Sequence, residues 1–323
     1  MTDEAPQGSP AKQLSPGFVT GSGGARFENS VQAAFALLML SGGSCPFLRR
    51  PIKKLILQAR TVGYHTDDVV VFVEDRRGGN KARLLGQIKH NVAFTQGNQE
   101  FAESIAAAWR DFSARTHFDP ATDIIALITG PLSAKDIDDV RPMLRLARQN
   151  TAESFAQKMS LDQSVSEGQR TKLAAFRTHL DTAKGTPVTD AELWGFLSRF
   201  HIMGFDFDDE AGTSLSLLES HLSQFKDDGF SFVWARIAEV VFGCNQAPGE
   251  LTIDSFPQEV KDVFNKAPVE IPPELLRAAV EAAQAAPPPL VGDQANALML
   301  ATLLGSWNEK TEGDMDAARK LIE

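Results

Sequence analysis

The most constraining feature of the sequence is an uninterrupted apolar run at residues 69–73, Val-Val-Val-Phe-Val. β-branched and aromatic residues favour strands, and a continuous apolar run is typical of a strand buried on both faces. The segment Arg76-Arg77-Gly78-Gly79-Asn80 follows and indicates a turn, with a return strand at residues 84–89. The run therefore predicts one arm of a hairpin inside an α/β sheet.

The elements around this hairpin follow from hydrophobic periodicity. In chain order they are a helix with apolar positions from 27 to 39, strands at 52–60, 69–73 and 84–89, a helix at 99–112 and a strand at 124–128. Amphipathic helices are predicted after Ser133, at 137–147, 152–159, 169–180, 190–200, 215–225 and 232–242. The predicted fold class is thus an α/β core, α-β-β-β-α-β with a mixed sheet, followed by an all-α helical segment.

Composition shifts divide the chain into four predicted regions. Residues 1–24 are rich in Gly, Ser and Pro and predict a flexible tail. The α/β core covers residues 25–132, and a helical adaptor domain covers residues 133–267. Residues 268–323 combine a Pro/Ala-rich linker with helices. Since the last helix pattern continues to Glu323, we expect a further domain downstream, in a longer protein.

The net charge of −10 is distributed unevenly along the chain. Residues 1–115 hold 14 Lys or Arg against 10 Asp or Glu, whereas residues 116–323 hold 18 against 32. A mildly basic front attached to an acidic rear indicates two roles. Only the front has the charge expected of a segment that meets a polyanion.

Several classes of protein are excluded. No stretch of about 18 apolar residues is free of charge, so no membrane-spanning helix is predicted. The first 16 residues lack the apolar centre of a secretory signal. Two cysteines, Cys45 and Cys244, are too few for a disulfide framework or a Cys-based zinc site. We expect a cytoplasmic protein with two reduced thiols and no membrane partner.

Polar residues occupy informative positions in the front half. Glu28 lies in the first turn of the first predicted helix, and Asp67 and Asp68 immediately precede the buried strand. Gln87 and Lys89 are two residues apart on the return strand, so their side chains share a face. Pairing of the two strands brings Asp68 level with the end that carries Gln87 and Lys89.

These residue types suit the hydrolysis of a phosphodiester. A hard cation neutralises the phosphate and lowers the pKa of the attacking water, and Mg²⁺ (or Mn²⁺) prefers carboxylate and carbonyl oxygens. Asp68, the Gln87 amide oxygen and the Ile88 backbone carbonyl would bind the ion. Glu28 would bind a second cation or hold a metal-bound water. Lys89 would position the water or stabilise the charge that develops.

Each of these residues also has a purely structural explanation. Glu28 suits the positive end of a helix dipole, and Asp67-Asp68 suits a turn. A Gln-x-Lys pair is common on strands. The residues alone leave both interpretations open, and they do not decide between Asp67 and Asp68, although Asp68 abuts the strand.

A cluster of basic side chains could contact a nucleic-acid backbone, and the alternative is a solvated face. The candidates are Arg49, Arg50, Lys53, Lys54, Arg76, Arg77 and, next to Lys89, His90.

The segments Phe27-Glu28, Asp67-Asp68 and Gln87-Ile88-Lys89 together resemble the PD-(D/E)xK nuclease superfamily. They are most similar to the Mrr-like and CBASS-effector-like endonuclease modules at the N-termini of antiviral STAND NTPase-type defence proteins, over about residues 20–250. The (D/E)xK element often takes the form QxK in such modules. The resemblance implies a restriction-endonuclease-like core.

The resemblance also implies a function. We expect a Mg²⁺-dependent endodeoxyribonuclease that cuts double-stranded DNA with little sequence specificity. It would act in antiviral defence as a homo-oligomer assembled by a downstream sensor or NTPase domain, or by a partner protein. RNA as the substrate stays open. Because Gln87 replaces an acidic ligand and the rear is acidic, a second hypothesis is a weak or inactive nuclease-fold module. Such a module would bind nucleic acid or a partner protein and serve as an assembly adaptor.

Overall fold

The central feature of the fold is a mixed β-sheet. A computed structural model of the chain describes residues 17–265, except 76–77, 162–164, 210–211, 227–228 and 247–248. In this part of the chain the strands are β1 (Ile52–Leu57), β2 (Val69–Glu74), β3 (Lys81–Lys89), β4 (Ile124–Thr129), β5 (Phe200–Gly204) and β6 (Glu250–Leu251). They lie in the order β5-β4-β3-β2-β1-β6.

Helices cover the sheet. They are α1 (Gly17–Leu40), α2 (Gln99–Ala114), α3 (Arg141–Gln149), α4 (Ala152–Ser160), α5 (Glu167–Lys184), α6 (Asp190–Arg199), α7 (Thr213–Ser223), α8 (Phe230–Gln246) and α9 (Gln258–Phe264). α1 packs on α8 against one face of the sheet, and α2 packs on α5 against the other. The described residues belong to one compact unit, Met1–Lys266.

The order of the front half agrees with the sequence prediction. β1, β2 and β3 are antiparallel, and β3, β4 and β5 are parallel, so the sheet is mixed. In β2 the side chains of Val69 and Val71 enter the core on the α1 side, and Val70 enters the core on the α2 side. The strand is therefore buried on both faces, as its apolar run predicts. Of the predicted turn between β2 and β3, residues 76–77 lie outside the described part.

The prediction of an all-α segment after residue 132 is wrong in one respect. The predicted helices form, but β5 pairs in parallel with β4, and β6 pairs with β1. The helix predicted at 190–200 ends because Phe200 is extended, with φ −92° and ψ 136°. Phe200 and Ile202 enter the core on one side and Met203 on the other. Residues on both sides of the predicted boundary at 132 thus build one sheet, and the division into domains stays a prediction.

The first helix is longer than predicted. α1 begins at Gly17, inside the segment assigned to a flexible tail. Its Gly21-Ser22-Gly23-Gly24 run has low intrinsic helix propensity, which is why the sequence did not indicate a helix there. Residues 1–16 and the predicted linker and helices at 268–323 lie outside the described residues.

Two further predictions concern the described residues only. No helix among them is both long and apolar enough to cross a bilayer. Cys45 and Cys244 are both free thiols.

Candidate cation and ligand site

The candidate site lies where the start of β2 meets the end of β3. Val69 pairs with Gly86, which places Asp68 beside Gln87. Asp68 Oδ2 accepts a hydrogen bond from the Ile88 backbone N–H at 2.6 Å and another from Gln87 Nε2. The carboxylate is therefore held by the neighbouring strand at two points, as the predicted register requires.

Two polar side chains of β3, Gln87 and Lys89, project from one face of the sheet. Leu85 lies in the core on the α2 side, and side chains two and four residues further along a strand project to the same side. Gln87 and Lys89 consequently lie on that face, in agreement with the sequence analysis. In an extended strand the N–H and C=O of one residue point the same way, so the Ile88 carbonyl also faces the Asp68 side of β3.

A buried glutamine joins Asp68 to Glu28, and the sequence analysis missed it. Gln32 is 0% exposed, and its Nε2 donates to Glu28 Oε1 at 3.0 Å and to the Asp68 backbone oxygen at 2.9 Å. Its own Oε1 accepts from Asn245 Nδ2 on α8 at 2.5 Å. The signal available in the sequence was the four-residue spacing of Glu28 and Gln32, which puts both on one face of α1.

A second missed residue is Gln58, directly after β1. Its backbone is left-handed, with φ 50° and ψ 49°, a conformation uncommon outside glycine. Its Nε2 donates to Glu28 Oε1 at 2.5 Å. Glu28 thus receives two amide donors on a single oxygen. Among the described residues no hydrogen bond reaches Glu28 Oε2 or Asp68 Oδ1, so each carboxylate keeps one oxygen for another ligand.

The two carboxylates have raised pKa values. Burial is the main cause of the rise in the pKa of Asp68 to about 7, and the negative charge of Glu28 adds to it. Burial also raises the pKa of Glu28, against the hydrogen bonds from Gln32 and Gln58. Lys89 acts in the opposite direction on both groups. When both carboxylates are ionised, the negative charges at the site thus outnumber the positive charge of Lys89.

These shifts predict how stability depends on pH without metal. The folded pKa of Asp68 is about 7, against an ordinary value of 3.8. Between these two values the folded protein keeps a proton that the unfolded chain loses, so stability falls as pH rises through this window. One proton contributes at most about 1.4 kcal/mol per pH unit. Urea unfolding in EDTA at pH 5, 6, 7 and 8 should show a shallower fall for Asp68→Asn than for wild type, and equal slopes would contradict the assignment.

The structure separates Asp67 from Asp68. Asp67 Oδ2 lies 3.4 Å from Arg60 Nε, and its backbone oxygen accepts from Ala59 N at 2.7 Å. Asp68 is the residue that touches Gln87 and Ile88. The choice of Asp68 as the metal ligand agrees with this geometry, and its role stays a prediction.

A buried aspartate on α2 fixes the loop before Asp68. Asp111 is 3% exposed, and its carboxylate accepts from the His65 N–H at 3.0 Å and from the Thr66 N–H at 2.6 Å. Two backbone donors on one buried carboxylate hold the loop rigidly. Asp111 therefore positions Asp68 without being part of the site, and nothing in its sequence neighbourhood indicated this.

His90, predicted to contact nucleic acid, is already engaged. Its Nε2 contacts Asp208 Oδ2 from the loop after β5, and its ring packs edge-on against Phe27 at 5.2 Å between centroids. The loop reaches the site because the parallel strands β3 and β5 end at the same edge of the sheet. His90 thus joins the acidic loop to the middle of α1.

The other basic residues predicted to contact nucleic acid do not lie at this site. β1 runs antiparallel to β2, with Leu57 opposite Val69 and Ile52 opposite Val73. Lys53 is four residues from Leu57, about 13 Å along the strand, and Arg49 and Arg50 lie further away. Lys54 Nζ pairs with Glu250 at 2.6 Å and lies over the Phe72 ring. β1 carries these residues to the opposite end of the sheet from Asp68 and Lys89, and their contact with nucleic acid stays a prediction. Arg76 and Arg77 lie outside the described residues.

The residues present fit a divalent cation with few protein ligands. No group of three or more His, Cys, Asp or Glu side chains in the described part of the chain could hold a metal by itself. The candidate metal ligands are therefore one free oxygen of each carboxylate and the Ile88 carbonyl oxygen. Mg²⁺ commonly uses one or two carboxylates and completes its shell with water and phosphate oxygens. Gln87 donates to Asp68 in this arrangement, so its predicted use as an amide-oxygen ligand stays a prediction.

Comparisons with known proteins give remote structural similarities only. No family model matches the sequence, and no curated protein matches it. Among solved structures, the chain is similar to the Acinetobacter baumannii Cap4 SAVED/CARF-domain containing receptor with the cyclic trinucleotide 3'3'3'-cAAA. Identity is 10% over 76% of this chain and 48% of the receptor chain, with a TM-score of 0.43. For the receptor with 2'3'3'-cAAA, identity is 10% over 81% of this chain and 46% of the receptor chain, with a TM-score of 0.42.

The chain spans about half the length of these receptor chains. At this identity and TM-score, neither the ligand nor the activity of the receptors carries over to the present chain.

The identification with PD-(D/E)xK nuclease modules is wrong on this comparison. The matched structures are SAVED/CARF-domain receptors. The predicted DNA endonuclease function rested on this identification, and it is therefore wrong as well. The physical reason is that an aspartate before one strand and a Gln-x-Lys pair on the next occur in many mixed sheets. Such a pattern specifies a geometry but not a family.

Proposed function

We propose that this unit binds a phosphate-bearing ligand of the nucleic-acid type, and that a divalent cation at Asp68 and Glu28 supports the binding. This is the binding-module alternative of the sequence analysis, with no cleavage. The observation that carries it is the pair of partly buried carboxylates, each with one oxygen free of hydrogen bonds. A cation bound between the ligand and the protein would offset the mutual repulsion of the two carboxylates.

Phosphate is the ligand group that best matches the charges. A Mg²⁺ ion held by two carboxylates keeps positions for phosphate oxygens. Lys89 projects from the same face as Gln87, and among described residues no carboxylate lies within ion-pair distance of its ammonium group. A phosphate could therefore contact the cation and Lys89 together. The bound cation would supply charge neutralisation, and Lys89 would supply a hydrogen-bond donor.

Partner binding by the acidic rear half is the second part of the proposal. Residues 116–323 hold 32 Asp or Glu against 18 Lys or Arg. An excess of acidic side chains over much of this part of the chain suits a basic partner. The ligand site and the partner surface would thus lie on differently charged parts of the chain. A place in antiviral defence stays a prediction that the sequence motifs motivated.

The test is a binding titration with fluorescently labelled single- and double-stranded DNA and RNA oligonucleotides. Anisotropy is measured with the full chain in Mg²⁺ and in EDTA. We expect binding to weaken at least about tenfold in EDTA, since the cation carries the phosphate contact. Lys89→Ala should weaken binding in Mg²⁺, whereas the control Lys53→Ala, at the other end of the sheet, should not.

Two outcomes would contradict the proposal. One is equal affinity of the best oligonucleotide in Mg²⁺ and EDTA. The other is recovery of a metal-dependent cleavage product that Asp68→Ala abolishes, because the proposed module returns its ligand intact. Gel analysis of the oligonucleotide after each titration distinguishes the two.

A further inference from the structure

A cavity lies beside the edge strand β5, two strands away from β3 and the carboxylate site. Its volume is about 450 Å³, and α3, β5 and the loop between α1 and β1 line it. Three arginines from α3 face it: Arg141, Arg145 and Arg148. Their spacing of four and three residues places them on one side of the helix. A helix face with three guanidinium groups at one cavity is an unusual concentration of donors.

The positive charge of this cavity is uncompensated within the described residues. No aspartate or glutamate lines the cavity, and none of its three arginines forms an ion pair in that part of the chain. Burial, followed by the neighbouring charge of Arg145, lowers the pKa of Arg148. One nitrogen of Arg148 donates to the Phe200 backbone oxygen at 3.2 Å, so this side chain is fixed at the edge strand. Like charges held together without a counter-ion mark an anion site.

An exposed aromatic ring stands at the same cavity. Phe47 is 44% exposed and lies in a tight turn that the Cys45 N–H closes by donating to the Arg50 backbone oxygen at 2.9 Å. Its φ of 64° is left-handed, which is strained for a residue with a side chain. The ring lies 4.3 Å from that of His201. Burial, with the charges of Arg148 and Arg199, lowers the pKa of His201 to about 3, so its ring is neutral at pH 7.

We infer that this cavity binds a nucleotide, either free or at the end of a nucleic-acid strand. The arginines of α3 bind its phosphate, because guanidinium groups match phosphate oxygens in geometry and charge. Phe47 packs on its base, since every base offers a flat face to an aromatic ring. The inference goes beyond the proposed function, because it uses other residues and requires no cation.

Calorimetric titrations of the full chain in EDTA test the inference with the carboxylate site metal-free. The probes are AMP, inorganic phosphate and a single-stranded DNA hexamer with a 5'-phosphate. Arg145 is exposed, so its truncation to alanine leaves the core intact. Arg145→Ala should weaken binding at least about tenfold, as expected for loss of a charged hydrogen bond. The control Arg110→Ala, an exposed arginine on α2 outside the cavity, should bind like wild type.

Phe47→Ala separates the two parts of the site. It should weaken AMP binding but leave inorganic phosphate binding unchanged, because phosphate does not use the ring. If the hexamer binds more tightly than AMP and depends on Arg145, the ligand is a strand end; if AMP is at least as tight, it is a free nucleotide. The inference is overturned if none of the three probes binds, or if Arg145→Ala and Arg110→Ala bind them equally.

Discussion

Replacing Asp68 with asparagine is expected to weaken Mn²⁺ binding at least about 100-fold, because it removes the charge of the central ligand. The neutral amide oxygen can still accept the Ile88 N–H, which now donates to Asp68 Oδ2 at 2.6 Å. The variant should therefore fold. Its loss of affinity would report the site itself. Calorimetry with the full chain at pH 8 measures the affinity.

The matched control for this variant is Asp67→Asn. Asp67 is the adjacent residue and carries the same charge, but it pairs with Arg60 at 3.4 Å instead of contacting Gln87. Its replacement should change Mn²⁺ affinity by no more than about threefold, the scale of a weak charge effect from a group that does not touch the ion. A chain in which Asp67→Asn loses the ion and Asp68→Asn keeps it would show that the wrong aspartate has been placed in the site.

The second large effect is expected on stability, from Gln32→Leu. Gln32 is fully buried and makes hydrogen bonds to Glu28, the Asp68 backbone and Asn245. Leucine would leave the Asp68 carbonyl and the Asn245 amide without these partners in the interior. The expected loss in the free energy of unfolding is about 2–4 kcal/mol. In a unit of this size the midpoint of thermal unfolding should fall by roughly 5–10 °C.

Gln157→Leu is the control for Gln32→Leu. Gln157 is an exposed glutamine on α4, so the same change in side chain should alter the free energy of unfolding by no more than about 0.5 kcal/mol. Urea unfolding of both variants at one pH, in EDTA, gives the comparison. Equal stability of the two variants would show that the Gln32 hydrogen bonds contribute nothing to the fold.

Strongly patterned elements of this fold could be predicted from sequence, and short ones could not. The apolar run at residues 69–73 predicts β2 because its β-branched and aromatic residues favour a strand buried on both faces. β5 has five residues and β6 has two, which is too few to show a period. β5 forms because parallel pairing with β4 and burial on both faces override the local pattern. Such tertiary stabilisation has no signature in a single sequence.

The candidate site could also be predicted from the sequence only in part. The two-residue period of a strand placed Gln87 and Lys89 on one face, and strand pairing brought Asp68 to them. The bond from Asn245 to Gln32 joins residues 213 positions apart, through the packing of α8 on α1. No local rule predicts it. The sequence likewise could not show that β1 carries the basic residues to the other end of the sheet, because that depends on its register with β2.

The family resemblance failed for a separate reason. It rested on three short segments whose geometry the structure reproduces at Asp68, Gln87 and Lys89. A shared arrangement of residue types, however, leaves the chemistry undetermined, because one carboxylate pair can bind a ligand or act on it. The function must therefore be argued from the site and its measured ligands.

An anomalous diffraction experiment on crystals of the full chain grown with Mn²⁺ would show whether Asp68 and Glu28 hold a divalent cation. We expect a peak in the anomalous difference map about 2.2 Å from Asp68 Oδ1, close to Glu28 Oε2 and the Ile88 carbonyl, with Gln87 still donating to Asp68 Oδ2. A map with no peak within coordination distance of Asp68 at millimolar Mn²⁺ would contradict the proposed cation site.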